Sequence, residues 1–403
     1  MKLNSNFQNL SESYLFAEVG RRVREYQENN PQNKVIRMDI GDITLPIIEP
    51  VARAMQKAVD EMLHPETFHG YGPEQGYQFL RDAIAKNDYA DRGIDISADE
   101  IFISDGAKCD IGNFTDLMGT DCVVAIPNPV YPVYVDSNII AGRTEENGRI
   151  VLLDCDPEND FKPSLPKEDV DVIYLCSPNN PTGTVLNRED LKEWVAIANK
   201  MGAVILFDSA YEAFIRDENI PRSIYKIPGA RDVAVEIRSY SKTAGFTGLR
   251  CGYTVVPSSL KGTFADGSEA PLRKLWLRRQ TTKFNGTSYL IQRGAEAIYS
   301  TEGKSLVRAN IDYYLHNAAM LREAFIALGY EATGGENSSY VWIRNKEGLD
   351  SWQFFDLLLR KCNISVTPGE GFGSAGRGCI RLTGFNSHEN TREAIQRISS
   401  LRQ

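Results

Sequence analysis

Several residue types are scarce in this chain of 403 residues. Its four histidines are scattered and lack the spacing of metal ligands, so we expect no metal site. Its seven cysteines are odd in number and form no CxxC pair, as expected of reduced packing residues in a cytoplasmic protein. Basic residues are outnumbered by acidic ones, and the net charge of −9 argues against a nucleic-acid partner.

Long hydrophobic runs are also missing. No apolar stretch approaches the ~20 residues that a membrane span needs. The N-terminal Met-Lys-Leu-Asn-Ser-Asn-Phe has neither the apolar core of a signal peptide nor the arginine- and serine-rich pattern of a transit peptide. We therefore expect a cytoplasmic protein without a membrane segment.

Short apolar runs rich in β-branched residues alternate with helical patterns through the middle of the chain. Asn187 can cap a helix whose apolar residues Leu191, Trp194, Val195 and Ala198 recur at helical spacing. Strands separated by helices predict a mostly parallel sheet covered on both faces. The predicted strands cover residues 101–104, 123–126, 172–176, 203–207, 233–237 and 252–256.

The pattern changes near residue 300. From there on, long helical patterns and short strands around 340–343 and 379–382 predict a smaller α+β domain. We therefore predict a large domain over 46–295 and a small domain over 296–403, with the segment 1–45 packing beside the small domain.

The strongest chemical signal is Ser239-Tyr-Ser-Lys242, followed by Gly245-Phe-Thr-Gly-Leu-Arg250-Cys-Gly252. Small residues allow close backbone approach, and serine hydroxyls and an arginine can hold a phosphate. A lysine held near cations and away from water has a lowered pKa and can bond to an aldehyde. A phosphate-anchored aldehyde cofactor requires these groups. On these residues alone, a strand end with a solvated lysine and arginine fits equally well.

Three further motifs bear on this choice. Asp208 ends an apolar strand, where a buried carboxylate needs a partner such as the ring nitrogen of pyridoxal 5′-phosphate. Ser177-Pro-Asn-Asn-Pro-Thr-Gly183 could aim the Asn180 amide at a ring oxygen, although an ordinary turn is the better explanation of this segment alone. Ser104-Asp-Gly-Ala-Lys108 is either an anion site at a helix start or a plain helix cap.

In their order along the chain, Asn-Pro-Thr-Gly, Asp-x-x-Tyr, Ser-x-Ser-Lys and Gly-x-Arg-x-Gly resemble the motifs of the fold-type I aminotransferases. The resemblance covers essentially the whole chain and implies an α/β fold-type I transferase that depends on pyridoxal 5′-phosphate. It implies that Lys242 carries the cofactor, that Asp208 pairs with the ring nitrogen and that Arg381 takes the substrate α-carboxylate. The other implied cofactor ligands are Asn180 and Tyr211 at the phenolic oxygen, Tyr131 on the ring face, and Ala107, Lys108, Ser239, Ser241 and Arg250 at the phosphate.

Five longer segments are similar to the LL-diaminopimelate aminotransferase family: 13–18, 39–42, 69–76, 104–110 and 279–286. This resemblance implies amino transfer between LL-2,6-diaminopimelate and 2-oxoglutarate, which gives tetrahydrodipicolinate and glutamate in lysine biosynthesis. It also implies a homodimer, in which Tyr71, Glu74 and Asn285 reach the neighbouring subunit's site, Tyr71 at the cofactor and the other two at the substrate. The implied substrate contacts within one subunit are Tyr14, Gly41, Lys108, Tyr131, Asn180 and Arg381.

Three alternatives remain open. A fold-type I aminotransferase for another amino acid, such as lysine, would use the same cofactor residues with a different pocket. A protein that binds the cofactor without turnover, for example a regulatory domain, is disfavoured because the chain carries no DNA-binding module. A nicotinamide dehydrogenase would rest only on Gly371-Phe-Gly-Ser-Ala-Gly376, which matches GxGxxG but precedes a predicted strand, not a helix.

Overall fold

The computed structural model describes residues 1–10 and 15–402. The α-helices in these residues span Leu15–Asn29, Glu49–Glu61, Gln78–Ile84, Ala107–Phe114, Val133–Ile140, Arg188–Met201, Tyr240–Thr243, Leu272–Lys283, Tyr289–Ala297, Thr301–Ala327, Ser351–Cys362 and His388–Ser399. The strands span Ile36–Arg37, Ile101–Ser104, Val124–Asn128, Ile150–Asp154, Val172–Cys176, Val204–Asp208, Ala234–Ser239, Gly252–Val255, Lys261–Thr263, Glu269–Pro271, Glu331–Gly334, Tyr340–Arg344, Ile364–Ser365, Thr367–Pro368 and Cys379–Thr383.

A mostly parallel sheet forms the centre of the molecule, as predicted. The strands between residues 124 and 239 pair in parallel, whereas Gly252–Val255 runs antiparallel to both of its neighbours. Along the sheet, the strands follow the order 101–104, 252–255, 234–239, 204–208, 172–176, 124–128 and 150–154. In this register Cys176 lies beside Asp208, and Asp208 lies beside Ile237, so the carboxyl ends of these strands meet at one edge.

The helix Arg188–Met201 illustrates how the sequence covers this sheet. The side chain of Asn187 accepts hydrogen bonds from the backbone N–H groups of Glu189 and Asp190, which confirms the predicted cap. The four apolar residues predicted for one helix face are all buried. They pack in the same cluster as side chains of the strands beneath, because an amphipathic helix is stabilised by burying its apolar face.

One strand of the central sheet is missing from the sequence prediction. Ile150–Asp154 pairs in parallel with Val124–Asn128 at the edge of the sheet. Its side chains are unevenly buried, with Ile150 and Leu153 inside and Asp154 exposed. An edge strand packs against one neighbour only, so its position depends on the sheet that it joins.

A smaller antiparallel sheet lies in the C-terminal part of the chain. It contains both strands predicted there, in the order 331–334, 340–344, 379–383 and 367–368. The N-terminal helix Leu15–Asn29 buries Leu15, Val19 and Val23 in the same apolar cluster as this sheet. The domain boundaries after residues 45 and 295 stay predictions.

In the described residues, no helix combines the length and the apolar character needed to cross a membrane.

Candidate active site

A cavity of about 500 Å³ lies where the parallel strands of the central sheet end. Cys176, Asp208 and Ser239 are the last residues of three neighbouring strands, and all of them line the cavity. Tyr340 and Arg381, from the small sheet, line its other side. Ligands of α/β proteins bind at this edge of a sheet because side chains and loops from several strands converge there.

Most residues predicted from the sequence line this single cavity. Three of the predicted residues that the structure describes, Tyr71, Glu74 and Asn285, do not line it. Tyr14 lies outside the described residues. The predicted residues that do line it are Gly41, Ala107, Lys108, Tyr131, Asn180, Asp208, Tyr211, Ser239, Ser241, Lys242, Arg250 and Arg381.

Asp208 is a buried carboxylate in the cavity wall. Its Oδ2 accepts a hydrogen bond of 2.6 Å from the Tyr134 hydroxyl, and its Oδ1 accepts one of 3.0 Å from the Ala210 N–H. Burial raises the pKa of Asp208, although both hydrogen bonds act in the opposite direction. Within the described part of the chain, Asp208 forms no ion pair, so a cation in the cavity would be the charged partner that this buried side chain lacks.

Lys242 lies on the short helix Tyr240–Thr243, directly after the strand that ends at Ser239. Its Nζ is 4.0 Å from Oδ1 of Asp42, and only 15% of its side chain is exposed. Burial lowers the pKa of Lys242 to about 8; Asp42 opposes this shift, and the charges of Arg381 and Arg250 reinforce it. A large fraction of this amine is therefore neutral near pH 8, as a nucleophile or a proton acceptor must be.

A group of hydrogen-bond donors surrounds one end of the cavity. Arg250 donates through Nη1 to the Thr247 carbonyl at 3.1 Å and to the Ser241 hydroxyl at 3.4 Å. Its own backbone has a φ of 63°, a conformation that is uncommon outside glycine and tends to occur at functional sites. A Cβ on Gly106 would lie 2.5 Å from Nη2 of Arg250, so the guanidinium reaches the start of the helix Ala107–Phe114 only because residue 106 is glycine.

Arg381 is buried at the opposite end of the cavity, with 1% of its surface exposed. Nη1 donates to the Asn180 amide oxygen at 2.7 Å, and Nη2 donates to the Asp39 carbonyl at 3.0 Å. The amide nitrogen of Asn180 is then the donor that can face the cavity. Nε of Arg381 is buried and has no hydrogen-bond partner among the described residues, whereas Nη1 makes a single described hydrogen bond, which leaves its second N–H available to an anion.

Two tyrosines that the sequence reasoning missed complete the wall. Tyr134 bonds to Asp208, and the hydroxyl of Tyr340 lies 2.9 Å from that of Tyr211. The Arg381 guanidinium also lies over the Tyr340 ring at 4.5 Å. Tyr134 follows the predicted Tyr131 by three residues, across the start of the helix Val133–Ile140, and the two rings are in edge-on contact.

The three predicted residues outside the cavity belong to a separate surface. Tyr71 is 92% exposed, and Phe68 and Leu63 nearby are 60% and 72% exposed. A Cβ on Gly286 would lie 3.2 Å from the Pro73 carbonyl oxygen and 3.9 Å from Cα of Glu74, so the segments that carry Glu74 and Asn285 are in contact. The place of Tyr71, Glu74 and Asn285 in a neighbouring subunit's site stays a prediction.

Comparison with known proteins decides the family. The family described as aminotransferase class I and II matches residues 33–398. The chain belongs to this family. Relatives of this aminotransferase that are named LL-diaminopimelate aminotransferase include one from Methanosphaera stadtmanae, 52% identical over 100% of this chain and 99% of the relative. Another, from Parabacteroides distasonis, is 53% identical over 98% of each chain.

The solved structures agree with this assignment of the aminotransferase. The L,L-diaminopimelate aminotransferase from Chlamydomonas reinhardtii superimposes with a TM-score of 0.93 at 41% sequence identity. The match covers 100% of this chain and 99% of that structure. The fold-type I architecture predicted from the sequence is therefore confirmed.

Proposed function

We propose that this aminotransferase transfers an amino group between LL-2,6-diaminopimelate and 2-oxoglutarate, using pyridoxal 5′-phosphate, in lysine biosynthesis. The products are tetrahydrodipicolinate and glutamate. The observation that carries this proposal is the identity of 52% and 53% to relatives of that name over nearly the full length. Other fold-type I aminotransferases share the cofactor residues, and the full-length identity is the reason to prefer this substrate over lysine.

The cavity fits the proposed cofactor. Asp208 offers a buried, unpaired carboxylate to a protonated ring nitrogen. The Arg250 guanidinium lies close against Gly106, since a Cβ there would lie 2.5 Å from Nη2. Together with the serine hydroxyls and the start of the helix Ala107–Phe114, this guanidinium offers the donors that a phosphate needs.

When bound, pyridoxal 5′-phosphate supplies an aldehyde carbon and a cationic ring that withdraws electrons from the substrate α-carbon. Asp208 would keep the ring nitrogen protonated, and Tyr131 would cover the ring face. Asn180 and Tyr211 would donate to the phenolic oxygen. The amine of Lys242 would hold the cofactor at its aldehyde carbon and would carry the proton at the α-carbon, a role for which its pKa of about 8 suits it.

The substrate meets complementary charges at both ends. Arg381 binds the α-carboxylate of each substrate in turn. The absence of a side chain at Gly41 lets the backbone there lie close to Tyr340 and Arg381, because a Cβ would lie 2.9 Å from the Tyr340 hydroxyl and 3.6 Å from Nη2 of Arg381. We assign the distal ammonium of diaminopimelate to Glu74 of a second subunit. The exposed surface around Tyr71 and the contact between the Glu74 and Asn285 segments support such a homodimer.

Arg381→Lys is expected to raise KM for every amino and 2-oxo acid by about 10- to 100-fold, the range set by a hydrogen bond to a charged group. An ammonium cannot reproduce the two parallel bonds of a guanidinium, and its three donors would replace the contacts to Asn180 and Asp39 only in part. Initial rates with each substrate varied in turn measure the change. Arg344→Lys, an exposed arginine on the neighbouring strand, is the matched control. A change confined to one substrate would move Arg381 to the distal end of the site.

Glu74→Gln is expected to impair the half-reaction of diaminopimelate and to leave that of glutamate unchanged or slightly faster. Diaminopimelate brings an ammonium to this end of the site, whereas glutamate brings a carboxylate. Losing one member of a charge pair in a partly wet site predicts a loss in kcat/KM of about 10- to 50-fold. Stopped-flow measurement of the cofactor absorbance resolves the two half-reactions.

Glu66→Gln provides the control for this experiment, because Glu66 is exposed in the same part of the chain and undergoes the same chemical change. Equal losses for both substrates in Glu74→Gln would mean that Glu74 supports the structure of the site and does not contact the substrate.

The proposed substrate itself is tested with a panel of amino donors and 2-oxoglutarate as acceptor, including the LL and meso isomers of diaminopimelate. A higher kcat/KM for lysine than for LL-diaminopimelate would overturn it.

A further inference from the structure

Tyr134 is a buried side chain at the floor of the cavity to which the proposed mechanism assigns no role. It lies in the first turn of the helix Val133–Ile140, and 1% of its surface is exposed. Its hydroxyl donates to Oδ2 of Asp208 at 2.6 Å. A hydroxyl that donates to a carboxylate over so short a distance forms a charge-assisted hydrogen bond, which is stronger than a neutral one.

This bond, together with one other, fixes both oxygens of Asp208. The Ala210 N–H donates to Oδ1 at 3.0 Å while Tyr134 holds Oδ2, so rotation of the carboxylate would break a hydrogen bond. The Tyr134 and Asp208 side chains are both buried, so this hydrogen bond lies in surroundings where an unmet partner is costly. The remaining lone pairs of the carboxylate therefore have one preferred direction in the cavity.

The ring of Tyr134 is held as firmly as its hydroxyl. It stacks on Tyr174 with ring centroids 5.3 Å apart and an interplanar angle of 27°. It also contacts Tyr131 edge-on, with centroids 6.0 Å apart and an angle of 88°. Tyr134 thus touches both the carboxylate assigned to the ring nitrogen and the side chain assigned to the ring face.

We propose that Tyr134 is a positioning residue, which aims the Asp208 carboxylate at the ring nitrogen of the cofactor. This proposal rests on the proposed cofactor but does not depend on the identity of the amino-acid substrate. A phenol can act in this way because it donates one proton to Oδ2 while its ring is too large to rotate within the packed wall.

Tyr134→Phe removes this donor while preserving the ring. We expect kcat to fall by about 10- to 100-fold, the range set by one hydrogen bond to a charged group, with KM nearly unchanged. The change should fall on kcat and not on KM, because Tyr134 touches Asp208 and Tyr131, whereas the α-carboxylate of the substrate is assigned to Arg381. A defect of folding would lower the amount of active protein and would not alter the affinity of the remainder for the cofactor.

Tyr174→Phe is the matched control. Tyr174 is equally buried, and it stacks on Tyr134. Its hydroxyl accepts from Nδ2 of Asn138 at 3.0 Å and has no bond to Asp208 among the described contacts. The same chemical change one ring away should therefore leave kcat and cofactor affinity close to those of the unmodified protein.

Cofactor affinity gives a second readout that does not depend on turnover. Pyridoxamine 5′-phosphate lacks the aldehyde and cannot bond to Lys242, so its dissociation constant from the cofactor-free protein reports the noncovalent contacts alone. Equilibrium dialysis should show weaker binding to Tyr134→Phe than to Tyr174→Phe. In an Asp208→Ala background, Tyr134→Phe should cause no further loss, because the group that it positions has been removed.

Two results would overturn the proposal. Equal effects of Tyr134→Phe and Tyr174→Phe would show that the hydroxyl at 134 contributes only to packing. An undiminished effect of Tyr134→Phe in the Asp208→Ala background would show that Tyr134 does not act through Asp208. Both outcomes differ from a failure of the proposed function, in which the unmodified protein would prefer another amino donor while the variants kept their order with that donor.

Discussion

Lys242→Ala is expected to abolish turnover, with kcat lower by at least about 10³-fold, while the fold and part of the cofactor affinity survive. Burial lowers the pKa of Lys242 to about 8, so near pH 8 about half of the amine is neutral, against less than about 1% for an ordinary lysine. Alanine removes both the nucleophile and the proton carrier at this point. Arg250 and the start of the helix Ala107–Phe114, which we assign to the phosphate, are unchanged in this variant.

The measurement is a single-turnover experiment that follows the visible absorbance of the cofactor after addition of an amino acid. Lys242→Arg separates the amine from its charge, because a guanidinium stays protonated and should be as inactive as alanine. Lys261→Ala, an exposed lysine paired with Glu269, should behave like the unmodified protein. Activity of the alanine or arginine variant within about tenfold of the unmodified rate would remove Lys242 from its assigned role.

Asp208→Asn is expected to lower kcat by at least about 10²-fold and to weaken cofactor binding much less. An amide cannot keep the ring nitrogen protonated, so the ring withdraws fewer electrons from the substrate. The Ala210 N–H can still donate to the amide oxygen, and the Tyr134 hydroxyl, which can also accept, can take a hydrogen bond from the amide nitrogen. The shape of the wall is therefore preserved while its charge is lost. Steady-state kinetics and cofactor titration of the same preparation give both quantities.

The stability of the cofactor-free protein provides the control for Asp208→Asn. Burial raises the pKa of Asp208 in the folded state, so the folded state binds this proton more tightly than the unfolded state does. Ionisation of Asp208 therefore lowers the free energy of unfolding as pH rises above the ordinary aspartate pKa. At pH 7 the asparagine variant without cofactor should be as stable as the unmodified protein, or more stable. A variant that loses stability and activity together would indicate a structural defect, and more than half of the unmodified activity would remove Asp208 from catalysis.

Local patterns in the sequence predicted much of the fold, because they depend on residues close together in the chain. The cap at Asn187 and the apolar face that follows it are set by spacings within one helix. The central strands were predicted to within one or two residues at their ends. The edge strand Ile150–Asp154 was missed, since its uneven burial follows from its single neighbour in the sheet.

The residues of the site were found because each motif follows a strand end. Asp208 and Ser239 close neighbouring strands, and a parallel sheet places such ends side by side. The partners of these residues were not predicted in the same way. Tyr134 meets Asp208 across 74 positions, and Tyr211 meets Tyr340 across 129 positions. No periodicity relates residues so far apart.

The sequence by itself determined most strands of the central sheet and the chemical types available at their ends. It did so because hydrophobic spacing, caps and glycines act over a few residues. Only the tertiary structure decided which of these groups meet, which are buried and how they are oriented. The lowered pKa of Lys242, the unpaired Nε of Arg381 and the aim of the Asp208 carboxylate all arise from burial and from contacts between distant segments. These properties exist only once the chain has packed, because they depend on the exclusion of water and on distances that folding creates.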